Sequence, residues 1–250
     1  MLKRLDYVKL APRLVLDAGS GPMRDARALA KRYRKAEVLA VDFSRAMLHA
    51  GRPRLRFFQR RTPKPVCADL ARLPLANGSV GLLWSNMALH WAADPLAALR
   101  EFHRVLETGG LLMFSTLGPD TLAELRSAAG AARVHSFADM HDLGDMLLAA
   151  GFAEPVMDAE RVTMVYADGE ALLADLRASG QTCALAAPAG ELRRGLAGRR
   201  FRAGLSDALA AQVRDGKLSV TCEVVYGHAW KAAPRQVADG RAIVQFERRR

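Results

Sequence analysis

Cysteine is scarce in this chain of 250 residues, and Cys67, Cys183 and Cys222 stand far apart with no CxxC pair. That excludes a disulfide framework and offers no metal-ligand spacing, so the three read as reduced thiols of a cytoplasmic protein. Long apolar runs are missing too: nowhere do about 18 apolar residues follow one another, so no membrane-spanning helix is expected. The start, "MLKRLDYVKL", breaks its apolar residues with charges where a secretory signal keeps an unbroken apolar core. Internal repeats, heptads and low-complexity tracts are absent beyond the closing "RRR". Acidic residues are the scarcer charge, 26 Asp and Glu against 37 Lys and Arg, leaving a formal net charge of +11. Such a surplus favours an acidic partner, whether nucleic acid, an anionic surface or an acidic protein, and does not choose among them.

Half of the chain is hydrophobic, enough to fill one α/β domain over residues 1–250. Strands and helices alternate through the first 115 residues, as a parallel sheet with crossover helices requires. "RLVLDAG" (13–19) predicts a first strand and "PMRDARALAKRY" (22–33) a helix with Pro22 at its first position. "AEVLAVDF" (36–43) predicts a second strand, with Ser44 capping a short helix. "KPVCADL" (64–70) and "SVGLLWSN" (79–86) supply the third and fourth. In "DPLAALREFHRVLETGG" (94–110), Asp94 caps a helix that Gly109 and Gly110 stop, and "LLMFSTL" (111–117) is a fifth strand. His103 on that helix reads as structural. Further on come a capped helix at 138–152, a centrally broken strand at 154–166, helices at 169–180 and within 188–216, a β-rich stretch at 218–230 and an edge strand at 241–247. The expected architecture is a Rossmann-like, doubly wound, seven-stranded and mostly parallel sheet with an antiparallel edge. A helical insertion falls within 119–136 and 168–216.

The stretch "VLDAGSGPM" (15–23) joins a strand to a helix through glycines. A P-loop needs GxxxxGK followed by Ser or Thr, which the chain lacks. A dinucleotide turn needs GxGxxG, and here Gly19 and Gly21 are followed by Arg24 where the third glycine belongs. Asp17 would repel a diphosphate, and Pro22 removes an N–H that would donate to one. A cationic ligand reverses both objections, and S-adenosylmethionine (SAM) carries a sulfonium, an ammonium and no phosphate. Downstream, Asp42 ends the second strand, where a carboxylate accepts from two ribose hydroxyls. Asp69 ends the third, placed for an adenine amino group with Leu70 on the ring. Asn86 ends the fourth. Ala18 and Phe43 accompany these acids at the strand tips. Each acid alone is equally a helix cap or turn residue; three ending successive strands point to one crevice.

These residues resemble the class I SAM-dependent methyltransferases, whose first motif, D-x-G-x-G, is matched by Asp17 to Gly21. Within that class, "SNMALHWAADPLAALREFHRVLETGGLLMFSTLGPDTLAELR" (85–126), "FADMHDLGDMLLAAGFAEPVMD" (137–158) and "EVVYGHAWK" (223–231) resemble the malonyl-[acyl-carrier protein] O-methyltransferases of biotin synthesis. The resemblance implies a malonyl thioester whose free carboxylate becomes a methyl ester, and an acidic acyl carrier protein as partner. It departs from the family at Met23, where members carry a third glycine and a side chain is expected to crowd the methionine part of SAM. Only about a dozen residues precede the first strand, where members carry a longer segment with a lid helix, so either the start is truncated or the site is open.

A carboxylate nucleophile needs alignment rather than a general base. Arg126 is the expected cation for the acceptor carboxylate. His90 and Trp91 are expected on the acceptor side, with Trp91 equally suited to the core, and Tyr166 at the substrate mouth. Arg52, Arg54, Arg56, Arg60, Arg61 and Lys64, or Arg193, Arg194, Arg199, Arg200 and Arg202, are expected to dock the carrier protein. Three other readings stay open. The methyltransferase-like assembly factors that act on protein arginine share "ALHW" and "DTLAELR". A catalytically silent scaffold of the same fold is a second. A nucleic-acid binder, with "RPRLRFFQRR" (52–61) as a stacking patch, is a third.

Overall fold

The computed structural model describes residues 1–51, 62–181 and 197–233. Parallel strands buried on both faces must be apolar along their length, and the first two meet that demand: β1 (Leu14–Ala18) and β2 (Glu37–Asp42) are almost wholly buried. With β3 (Lys64–Cys67), β4 (Val80–Asn86) and β5 (Leu106–Leu117) they form a parallel array, to which β7 (Leu218–Trp230) adds antiparallel, followed by β6 (Ala153–Tyr166). The spatial order is β3-β2-β1-β4-β5-β7-β6, a single seven-stranded sheet. The order reverses between β1 and β4, which opens a crevice at their carboxyl ends.

Alternation along each strand divides the core. Leu16, Ala18 and Leu83 face a cluster with Leu99 and Phe102 of α3 (Pro95–Val105) and Leu143 and Leu147 of α5 (Met140–Ala149). Val15, Leu82 and Trp84 face the opposite cluster, with Ala26 and Leu29 of α1 (Arg24–Arg32) and Leu48 of α2 (Arg45–Ala50). Each fully buried side chain of this size contributes about 1.5–3 kcal/mol of transfer free energy. Between β5 and β7 the packing is tight enough that a Cβ on Gly227 would lie 2.4 Å from the Phe114 ring. A third cluster joins Leu122, Leu125 and Val134 to Leu172 and Leu176 of α6 (Gly169–Ala178), Leu205 and Leu209 of α7 (Ala197–Ala210), and Leu218 and Val220. Leu125 belongs to α4 (Ala123–Ala129), which is locked to β7 by Glu124, whose carboxylate accepts from the Thr221 amide and hydroxyl at 2.9 and 2.7 Å.

Several boundaries differ from expectation for identifiable reasons. The first helix begins at Arg24 rather than Pro22, because Gly21 and Met23 both adopt positive φ, +49° and +57°, which a helix cannot contain. α3 stops at Val105, four residues before Gly109, since Leu106 already pairs with Val80 as a strand. β3 ends at Cys67, three residues short of Leu70. β6 has no central break; its irregularity lies at its start, between Ala153 and Val156, with Glu154 at φ +51°. Its middle is exposed on both faces of a continuous strand. β7 is flanked on both sides, by β5 and β6; the expected edge strand at 241–247 lies outside the described residues. The last predicted helix is α7, within 188–216. His103 packs edge-on against Phe152, with centroids 5.1 Å apart, in a structural setting. Among the described residues no helix is long and apolar enough to cross a membrane.

Candidate functional site

The glycine turn leaves β1 at the switch point and is stitched to β2: the Gly19 and Ser20 amides donate to the Val41 carbonyl at 2.8 and 2.9 Å. Gly19 has φ +78°, and a Cβ there would sit 2.1 Å from Cβ of Ala88. Only glycine lets the turn lie against the segment following β4. Gly21, by contrast, faces open space, with nothing closer to an added Cβ than the Met47 methyl at 3.9 Å.

Asp17 is 1% exposed, and its Oδ2 has no hydrogen-bond partner. Burial first, then the charge of Asp25, raises its pKa well above the ordinary carboxylate value; the Ala26 amide opposes the shift and Asp42 adds to it. No salt bridge among the described residues reaches this carboxyl. A buried acid in acidic company is costly unless a cation arrives. The Ser20 hydroxyl, also buried, lacks a partner as well.

Asp42 bridges two loops, accepting the Gly21 amide on Oδ2 and the Ser44 amide on Oδ1, both at 2.7 Å. Each oxygen keeps a lone-pair direction for one hydroxyl of a vicinal diol. Phe43 beside it is 79% exposed and Met47 47% exposed, an apolar rim at the carboxyl end of β2. Asp69 lies two residues beyond β3 in a turn, its Oδ1 accepting the Ala71 amide at 2.9 Å. Leu70 turns into the core, so the exposed apolar surface here is Phe43 and Met47 rather than Leu70.

Asn86 closes β4 within a network that sequence reasoning missed. Its Nδ2 donates to Oδ2 of Asp25 at 2.8 Å, and the same oxygen accepts the indole N–H of buried Trp84 at 2.9 Å. On the other side, the Ser115 hydroxyl donates to Asn86 Oδ1 at 2.5 Å and accepts the Met87 amide at 3.2 Å. Asp25 and Ser115 carry no motif; the signal for Ser115 is its register opposite Asn86. Met23 also departs from expectation. Its φ of +57° is the conformation glycine favours, yet its side chain is 2% exposed and packs among Leu5, Val15 and Leu29. It fills the core rather than crowding the turn.

Beyond Asn86, a short helical turn (Leu89–Trp91) presents His90. Burial, and then the charge of His135, lowers the His90 pKa to about 4. Its Nδ1 stands 3.4 Å from the Thr116 hydroxyl, and its ring lies 5.5 Å from Trp91 and 5.8 Å from Phe137. Trp91 is 47% exposed and belongs to the rim rather than the core. Arg126 of α4 comes to the same corner, its Nη2 donating to the carbonyls of Thr121 at 3.2 Å and His135 at 3.3 Å. Leu122, which launches α4, is held at φ +58°. Tyr166 does not join this group. Its hydroxyl donates to Asp175 at 2.8 Å, its ring packs in the third cluster, and burial plus that bond push its pKa up to about 12.

Of the basic clusters, Arg52 to Arg61, Arg193 and Arg194 lie outside the described residues, as does the stacking patch they include. Lys64 pairs with Glu37 at 2.6 Å and Arg202 with Glu170 at 3.0 Å. Arg200 is exposed on α7, the helix that also carries Arg199.

Residues 16–114 match the family described as a methyltransferase domain. The chain is 48% identical over 253 residues to malonyl-[acyl-carrier protein] O-methyltransferase of Gallionella capsiferriformans, an alignment covering 98% of this chain and 86% of that one. It is likewise 48% identical, over 259 residues with the same coverage, to the protein of that name from Laribacter hongkongensis. Among solved structures, phosphoethanolamine N-methyltransferase 2 of Haemonchus contortus in complex with SAM superposes with a TM-score of 0.59 at 18% identity, over 93% of this chain and 51% of that one. The cyclase SpnF does so with 0.54 at 20% identity, over 88% and 76%. A cyclase on the same fold shows that architecture alone does not name a reaction.

Proposed function

The chain belongs to the malonyl-[acyl-carrier protein] O-methyltransferase family, and from that membership we propose that it esterifies the free carboxylate of a malonyl thioester, carried on an acidic acyl carrier protein, in biotin biosynthesis. The observation that carries the reading is near-half identity to such enzymes along 98% of the chain. SAM is the methyl donor in this reading, supplying an electrophilic methyl on a sulfonium. The site suits it: the unpartnered buried carboxyl of Asp17 favours a cationic ligand, and Asp42 offers two oxygens to a ribose diol. Ala18, Gly19 and Gly21 line the turn, Phe43 flanks the adenine with Asp69 and Leu70 near its edge, and Asn86 closes the methionine side, held by Asp25 and Ser115.

The acceptor is already a nucleophile, so the chain supplies alignment and exclusion of water rather than a base. His90 is neutral at physiological pH, which keeps it from competing with Arg126 for the acceptor. Arg126 binds and orients the carboxylate, and Trp91 covers the mouth beside it. The reaction belongs to the cytoplasm, and the arginine surplus speeds encounter with the carrier.

The test is incubation of the purified chain with SAM and malonyl-loaded carrier protein, followed by intact-mass analysis. A mass gain of one methyl group on malonyl but not acetyl carrier, lost in Asp42→Ala, is the expected result. Methylation of a protein arginine instead, or SAM binding with no transfer to any acceptor, would move the protein to the assembly-factor or scaffold reading. Salt-steep oligonucleotide binding without a response to SAM would favour the nucleic-acid reading.

A further inference from the structure

Three basic side chains from separate segments meet at the acceptor corner with no acid to balance them. His90 comes from the turn after β4, Arg126 from α4, and His135 from the segment linking α4 to α5. Among the described residues, no carboxylate hydrogen-bonds or ion-pairs with any of the three. Arg133, the other cation on the linking segment, lies over the Phe201 ring at 4.0 Å. Two polar atoms in the corner are buried and unused: the Nε–H donor of Arg126 and Nδ1 of His135, an acceptor or a donor according to its proton. Phe137 walls them, its ring 4.7 Å from His135 and 5.8 Å from His90. Buried polar atoms without partners cost free energy and are rare in folded proteins. Their concentration beside the Arg126 guanidinium, with a second ring able to take up a proton, suits an anion.

Resting on the function proposed above, we propose that His135 is a binding residue for the acceptor: together with Arg126 it receives the negative charge of the substrate carboxylate and releases the neutral methyl ester. Arg126 is anchored by the carbonyls of Thr121 and His135, which leaves its Nε–H for one carboxylate oxygen. The His135 Nδ1–H serves the other. Esterification removes the charge that both groups hold, so the same pair that selects a malonyl over an acetyl group also favours departure of product. Burial, and then the Arg126 charge, lowers the His135 pKa against the opposing pull of the His90 carbonyl. The imidazole is therefore mostly neutral until an anion arrives, and substrate binding draws a proton onto it.

Calorimetry on the full chain, with S-adenosylhomocysteine in place of SAM to prevent turnover, tests this using malonyl-pantetheine and acetyl-pantetheine as probes. The wild type is expected to prefer the malonyl thioester by about 10- to 100-fold, with proton uptake near pH 7 read from buffers of differing ionisation heat. His135→Gln keeps a neutral donor; it should lose the proton uptake and most of that preference while binding S-adenosylhomocysteine as before. Arg126→Gln should lose the preference more completely. A His135→Gln variant with undiminished preference and proton uptake would overturn the role of His135 and leave the enzyme's reaction standing. Absence of any malonyl preference in the wild type, together with no methyl ester formed on the carrier, would instead overturn the proposed function.

Discussion

Met23 offers a test in which two effects of opposite sign can be separated. At φ +57° an L-residue is penalised by about 1–2 kcal/mol relative to glycine, and by that measure Met23→Gly should stabilise. The same side chain is 2% exposed in the cluster formed by Leu5, Val15, Ala26 and Leu29, and truncating a buried methionine costs about 2–5 kcal/mol. The second effect is the larger over most of its range, so Met23→Gly is expected to lose about 0–4 kcal/mol. Met23→Ala loses the packing without relieving the backbone, and should be less stable than the glycine variant by about 1 kcal/mol. This inverts the order found in helix interiors, where alanine is the better residue by about 0.5–1 kcal/mol. Urea unfolding of the three proteins reads the order directly, and calorimetric titration with SAM supplies the functional arm. Since the side chain points into the core, Kd for SAM should change less than twofold in the glycine variant. A Met23→Gly protein as stable as wild type with markedly tighter SAM binding would refute the reasoning and restore the expectation that this side chain crowds the ligand.

Three further outcomes follow from the site. Asp17 has a folded pKa raised above its unfolded value, so its contribution is complete below the unfolded pKa of about 3.9 and is lost as pH rises through the folded pKa. Asp17→Asn should therefore flatten Tm against pH from 4 to 8 and raise Tm at neutral pH, about 1.4 kcal/mol for each unit of displacement, while abolishing SAM binding; an unchanged Tm profile would contradict this. Asp25→Ala strands the buried Trp84 N–H and should cost about 1–3 kcal/mol with a change in tryptophan emission, whereas Asp25→Asn should retain most of the stability. Tyr166→Phe should leave kcat and KM unchanged and lower stability by less than about 1 kcal/mol, and a kinetic defect would return Tyr166 to the acceptor site.

What could be read from the chain was what depends on neighbours in sequence. The run from Val15 to Gly21 declares a strand and a turn because strand periodicity and positive φ are local demands, and Asp17 and Asp42 follow as the residues at strand tips. Asp25 could not be read this way: its role depends on Trp84 and Asn86, some 60 positions away, arriving over the first turn of α1. His135 was hidden for a similar reason, since it occupies a connecting segment and acquires significance only beside Arg126 and His90. Gly109 looked like a helix stop, but pairing of Leu106 with Val80 ended α3 earlier, a case of tertiary contact overriding a local signal. At Met23 the position was read correctly as one that wants glycine, and the error lay in where the side chain goes, which no local pattern states.

The position of β7 bears on how the chain is made. Of the described strands, the last to leave the ribosome is inserted between β5 and β6, pairing with both along most of its length. Until it emerges, the edge of β5 has no neighbour, and the fourteen residues of β6 have no sheet to join. Between completion of β6 and arrival of β7 the nascent protein thus carries two open edges, the condition under which strands recruit foreign partners. Lys231, one residue past β7, then donates to the carbonyls of His103 and Leu106 at 2.8 Å, fastening the end of α3 as the sheet closes. A released chain ending before Leu218 should be one that chaperones bind and proteases cut, and restoring the residues through Lys231 should end both together.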